Sequence, residues 1–296
     1  MPYLTLRDGT SLYHLDSAET GRPLVFLANA TANSQMWELQ LPYLTDRGLR
    51  CVAYDRRGHG RSDWPAHGYD YDHLADDLDE LIRHLDLRDA ILVGGAMGCG
   101  EIVRYLSRHG SARVGGVVMV ATVTPMLLRG PDNPDGLDRA VLDEMVTGLL
   151  QDRPHFVAQI APAFFGPALA PPVAAVGNGA GSADGAGTVS AEFVRWFCDL
   201  SLQCSPTVSR AVYELLFTAD LRADLAAVDV PALIVHGDQD PFAPLALCGE
   251  RTARAIPGSE LVVVPGASHG LALTAPQRLN DLILRFAATP ARPVAG

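Results

Sequence analysis

No stretch of these 296 residues approaches the roughly 18 unbroken apolar positions that a membrane-spanning helix requires. The N-terminus also lacks the basic-then-apolar layout of a secretory leader, so a soluble cytoplasmic protein is expected. Cysteine is sparse: Cys51, Cys99, Cys198, Cys204 and Cys248 are odd in number and show no metal or redox spacing. That pattern argues against a disulfide framework and fits reduced thiols. Neither a metal nor a cofactor is expected. Positive charge is short as well, with 23 Lys and Arg against 34 Asp and Glu and a formal net charge of −11. Phosphate recognition wants a basic surface, so nucleic acid and anionic membrane are excluded as natural partners and a small molecule is expected instead. What is present is apolar residue in quantity, 48% of the chain, enough for one large core at this length.

The most consequential absence is one side chain. Val93-Gly94-Gly95-Ala96-Met97-Gly98-Cys99-Gly100 has the layout of a nucleophile elbow, glycine-x-nucleophile-x-glycine, with alanine where a serine is expected. Such a turn places the nucleophile on strained backbone between a strand and a helix, and small flanking residues let the two elements approach. The context fits. Ala90 to Val93 is a short apolar run typical of a buried parallel strand, and Gly100 to Arg108 continues with helical spacing. Cys99, on the first turn of that helix, is expected to be a small buried packing residue rather than a reactive thiol.

Around this turn the chain predicts strands near Tyr3 to Arg7, Ser11 to Leu15, Leu24 to Leu27 and Arg50 to Tyr54, a helix over Asp72 to Leu85, and a strand over Val114 to Val120. In the 72–85 helix Leu74, Leu78, Leu81, Ile82 and Leu85 form the buried stripe, and Asp72, Asp76, Asp77, Asp79 and Glu80 are expected mostly to face solvent. Strands alternating with covering helices predict an α/β fold with a mostly parallel sheet. From Thr124 to Phe217 no strand-like run occurs, only helical segments such as Leu137 to Leu150 and Phe193 to Leu202. The expected organisation is a core of residues 1–123 and 218–296 with an inserted helical cap of residues 124–217. Within the cap, residues 167–190 are rich in glycine, alanine and proline and are expected to form a flexible excursion. Phe164, Phe165, Trp196 and Phe197 either line an apolar pocket over the elbow or form the cap's own core.

Two further polar groups are expected at the carboxyl edge of the sheet, where sites form in open parallel sheets. The strand Pro231 to Val235 opens into His236-Gly237-Asp238-Gln239-Asp240, and Asp240 is preferred as the functional acid because an Asp directly after a strand, such as Asp238, commonly serves its own turn. The strand Leu261 to Val264 ends in Pro265-Gly266-Ala267-Ser268-His269-Gly270, which presents His269 as the expected base.

Taken together, Met36-Trp37, Tyr54 to Asp63, Leu92 to Gly110, Phe164-Phe165-Gly166 and Gly266 to Leu271 resemble the α/β-hydrolase superfamily, and within it the cofactor-free haloperoxidase, perhydrolase and arylesterase branch. The resemblance implies an α/β-hydrolase fold, hydrolysis of small esters through a serine acyl-enzyme, and a triad whose acid and histidine would be Asp240 and His269. It also implies an oxyanion hole made of the backbone N–H groups of Met97 and Ala30. The chain departs from the pattern at Ala96 and again at Ala28-Asn29, which replace the usual His-Gly pair after the third strand. Asn29 and the residues after it are closer to 3-oxoadipate enol-lactonases. Asn29 either donates from its amide to a substrate oxygen or braces the loop.

Two accounts of Ala96 follow. In the first, alanine is an engineered, inactivating replacement of a working serine, made to trap a substrate or product, and the parent protein hydrolyses a small apolar or aromatic ester, thioester or lactone. In the second, alanine is native, and His269 with Asp240 acts as a general base for proton abstraction, cyclisation or carbon–carbon chemistry, or the protein only binds a small molecule. Retention of both Asp240 and His269 argues against pure binding. The balance favours the hydrolase parent, with the general-base enzyme as the runner-up.

Overall fold

A computed structural model describes residues 2–17, 20–168 and 187–289. Eight strands form one sheet: β1 (Tyr3–Thr5), β2 (Ser11–Asp16), β3 (Pro23–Leu27), β4 (Arg50–Tyr54), β5 (Ala90–Gly95), β6 (Val114–Val120), β7 (Ala232–Gly237) and β8 (Glu260–Val264). Their spatial order is β1-β2-β4-β3-β5-β6-β7-β8. The β1–β2 and β2–β4 pairs are antiparallel, and every pair from β4 to β8 is parallel.

The central strands are apolar along their length because both faces are covered. All of β3, β5 and β7 is buried, as expected of parallel strands flanked by helices. Alternation divides their side chains between two cores: Val25, Leu27 and Leu92 pack on one face with the Tyr71–His84 and Met97–His109 helices, and Leu24, Phe26 and Val93 on the other with the Pro276–Ala287 helix. The Tyr71–His84 helix starts at Asp70, whose carboxylate accepts from the His73 N–H. Its buried stripe is Leu74, Leu78, Leu81 and Ile82. Two of its carboxylates depart from the outward orientation expected of them. Asp77 and Asp79 are buried, and each is met by an arginine, Arg57 at 2.5 Å and Arg83 at 2.6 Å. A helical wheel built on apolar residues alone does not register such pairing.

Between β6 and β7 lie the helices Arg139–Gln151, Arg153–Phe165, Ala191–Leu202 and Pro206–Thr218. Asp152 ends the first and caps the second, accepting from the His155 N–H, and Pro154 follows inside the first turn, where no hydrogen bond is lost. Leu142, Leu149, Phe156, Tyr213 and Phe217 knit three of these helices together. Helix begins only at Arg139. Residues 121–138 are an irregular run carrying short bridges between Leu128 and Leu137 and between Gly130 and Asn133. Most of the excursion expected at 167–190 falls outside the described residues.

The parallel strands end at one edge. Leu27 of β3 pairs with Gly94 of β5, Gly95 with Val120 of β6, and Gly237 of β7 with Val264 of β8. The loops that follow β3, β5, β7 and β8 therefore emerge side by side, carrying Asn29, Ala96, Asp240 and His269.

Candidate active site

Ala96 occupies a backbone conformation, φ 44° and ψ −101°, that alanine adopts only under constraint. Its N–H donates to the Val120 carbonyl at 2.9 Å, and its carbonyl accepts from the Cys99 N–H at 3.0 Å. The Met97–His109 helix thus begins directly at the bend, three residues earlier than its helical spacing announced. Glycine at 98 is required by close approach, since a Cβ there would lie 2.7 Å from the Leu27 carbonyl oxygen and 2.8 Å from the Leu27 Cβ. Cys99 is fully buried with its Sγ 3.2 Å from the Gly94 carbonyl, and burial pushes its thiol up to about 12.

Asp240 and His269 meet. The His269 Nδ1 lies 2.8 Å from Asp240 Oδ2, and the other carboxylate oxygen accepts from the N–H groups of Phe242 and Ala243, each at 2.9 Å. The carboxylate is wholly enclosed and the His269 side chain is 9% exposed. With the Nδ1 proton directed at the carboxylate, Nε2 is left with a lone pair, the arrangement of a general base. Phe164 and Phe242 stand against the ring at 5.6 and 5.5 Å between centroids and fix its plane. His236 adjoins from below. Burial pushes it under the ordinary histidine range, and its Nε2 lies 2.7 Å from the Ala243 carbonyl. Asp238 turns away, accepting from the Gly266 N–H at 2.7 Å and so tying the loops after β7 and β8 together.

The loop after β3 is held by buried charge. Arg56 and Glu101 form an ion pair with side chains 2% and 0% exposed, and Tyr54 also donates to Glu101. The remaining guanidinium donors reach the carbonyls of Ala28 and Asn29, and the His59 Nε2 lies 2.7 Å from the Ala30 carbonyl. A trans peptide points its N–H opposite to its C=O. Fixing the Asn29 carbonyl on Arg56 therefore directs the Ala30 N–H away from Arg56.

A cavity of about 320 Å³ lies over these groups. Asn29, Ala30, Ala96, Phe164, Phe197 and His269 all line it. Phe165 and Trp196 do not. Phe165 is fully buried against Phe193 and Phe197, and Trp196 packs on Phe193. Adjacent helical residues diverge by about 100°, so only one of each pair faces the cavity. Met97 contributes no lining side chain; it is fully buried at the start of its helix. Sequence reasoning missed Phe242, two residues beyond Asp240, and also Val123, Leu127, Tyr213 and Phe217, which complete an almost wholly apolar wall. Among the described residues no group of three or more His, Cys, Asp or Glu side chains could hold a metal ion, and no helix is long and apolar enough to cross a membrane.

Residues 22–276 match the family described as alpha/beta hydrolase fold. The chain is 36% identical to the non-heme chloroperoxidase CPO-A1 of Kitasatospora aureofaciens over 97% of its own length and 99% of that protein. Among solved structures it is similar to a bromoperoxidase from Bacillus anthracis, with 33% identity and a TM-score of 0.85 covering 95% of this chain and 96% of the other. An esterase from Exiguobacterium antarcticum superposes with a TM-score of 0.86 at 29% identity, covering 97% and 99%.

Proposed function

Because the chain belongs to the α/β-hydrolase family, in its non-heme haloperoxidase branch, we propose that its site is that of an ester-acting hydrolase for small apolar or aromatic esters, thioesters or lactones, with Ala96 in the nucleophile's place. The observation that carries this reading is the Asp240–His269 pair, joined at 2.8 Å and opening on the cavity that Ala96 also lines. In such a site His269 takes the nucleophile's proton, Asp240 holds the ring and stabilises its charged form, and the N–H groups of Met97 and Ala30 receive the developing oxyanion. The helices between β6 and β7 act as a cap, supplying the apolar wall that excludes water. A methyl group carries no lone pair, and loss of a triad nucleophile removes about a millionfold in turnover. The chain as written therefore forms no acyl-enzyme at residue 96.

The second account, in which alanine is native and His269 works as a general base without a covalent intermediate, draws on the departure at Ala28-Asn29 beside the bend. A Cβ at Gly95 would lie 2.2 Å from the Asn29 Oδ1, so positions 95 and 29 are fitted to one another on either side of the bend.

Both accounts are tested by one pair of substitutions assayed on a p-nitrophenyl ester of a short acid. In the hydrolase reading Ala96→Ser raises ester hydrolysis about a thousandfold or more, and His269→Ala in that background abolishes the gain. In the general-base reading Ala96→Ser adds little, whereas His269→Ala ends proton exchange at the α-carbon of a bound aryl ketone. No gain from Ala96→Ser on any ester and no loss from His269→Ala would leave neither reading standing.

A further inference from the structure

Asn29 is 9% exposed, it lines the cavity, and its side-chain amide has no hydrogen-bond partner among the described residues. Its backbone is fixed independently of that amide, the N–H lying 3.1 Å from the Met36 sulfur and the carbonyl 3.1 Å from Arg56 Nη1. The loop therefore does not need the side chain as a brace. The amide oxygen is the limb set against β5, 2.2 Å from where a Cβ of residue 95 would stand, with Cγ farther off at 3.4 Å. In a planar amide the nitrogen is then the limb directed away from β5. A donor so placed in an apolar cavity, beside Ala96 and in the same wall as His269, lacks an acceptor that only a bound molecule or water can provide.

We propose that Asn29 selects the substrate by donating from Nδ2 to a carbonyl or enolate oxygen at the reacting carbon, and that Gly95 is glycine because any side chain there would turn the amide out of place. The inference rests on the reading that the cavity over Ala96 receives the substrate's reacting carbonyl. It assigns to a side chain a part of carbonyl recognition that backbone N–H groups otherwise carry alone.

The probes are acetophenone and α-methylstyrene, which share a shape and differ by oxygen against methylene. Their dissociation constants are measured by titration calorimetry on the full chain, and the ketone-to-alkene selectivity is compared between variants, so that the probes' own solubilities cancel. Asn29→Ala is expected to reduce that selectivity about tenfold, the weight of one buried neutral hydrogen bond. Asn29→Asp, which keeps the shape and loses the donor, does the same and replaces the alanine variant should that one not fold. Gly95→Ala alone reproduces the loss, and adding it to Asn29→Ala lowers selectivity no further. Selectivity unchanged within twofold in both Asn29 variants overturns the proposal, as does failure of the unsubstituted chain to bind either probe. Because no turnover is read, a negative result here is distinct from absence of ester hydrolysis in Ala96→Ser.

Discussion

Arg56 shows most directly how the site's donor loop is held. Its guanidinium sits in a wholly buried place, pairing with Glu101 at 2.5 Å and donating to the carbonyls of Ala28 and Asn29. Arg56→Met keeps the volume of the aliphatic stem but strands the Glu101 carboxylate without its cation. Breaking a buried pair by removing one partner costs about 3–5 kcal/mol, and two carbonyls that lose their donor add about 1 kcal/mol each even where water partly replaces it. The expected loss is about 5–7 kcal/mol, a large fraction of the ~5–15 kcal/mol that holds an ordinary domain folded. Arg56→Met combined with Glu101→Met removes the stranded charge and leaves only the carbonyls and the Tyr54 hydroxyl unpaired. The double variant should therefore be more stable than the single one by about 2–4 kcal/mol. Equilibrium urea denaturation at neutral pH, followed by the fluorescence of fully buried Trp37, measures both. A single variant within about 1 kcal/mol of the parent, or a double variant less stable than the single, would refute the argument that a buried ion pair positions this loop.

Two other outcomes are expected. Gly98→Ala should cost about 1–3 kcal/mol, because the new methyl meets the Leu27 carbonyl at 2.7 Å and neither element can yield cheaply; an unchanged unfolding midpoint would show that the strand and helix are not in forced contact. At pH 8 iodoacetamide should modify the native protein at Cys198 alone, since that thiol is half-buried at the cavity wall, while burial raises Cys51 to about 11 and Cys99 to about 12 and keeps Cys204 and Cys248 fully enclosed. Mass spectrometry of the labelled peptides reads the outcome, and rapid labelling of Cys99 would contradict its packing role.

The architecture was legible wherever the chain spells it with apolar period and glycine. Buried runs at Leu24 to Leu27, Ala90 to Val93 and Val114 to Val120 each became a strand within a residue or two of the expected bounds. Asp240 and His269 were legible because they follow strands, and a residue that follows a parallel strand must emerge at the carboxyl edge. Lining residues were harder. Phe164 and Phe165 are equally aromatic, and so are Trp196 and Phe197; which member of each pair faces inward depends on how the helix is rolled on its neighbours, a property of tertiary packing. Tyr213 and Phe217 carry no local mark that distinguishes a cavity wall from a helix–helix contact, and they serve as both. Asp77 and Asp79 were misread for a related reason: their arginine partners lie on a different segment or on the helix's outer turn, and pairing is invisible to a periodicity that counts only apolar residues.

The bend at residue 96 persists with no hydroxyl to present. Its positive φ carries about 1–3 kcal/mol of backbone strain, and it is imposed by neighbours: the hydrogen bond to Val120 on one side and the contact of Gly98 with Leu27 on the other. Shape and reactivity are consequently separate heritable traits in this scaffold. Alanine and serine codons can differ by a single base, so the same turn can carry either residue without being rebuilt.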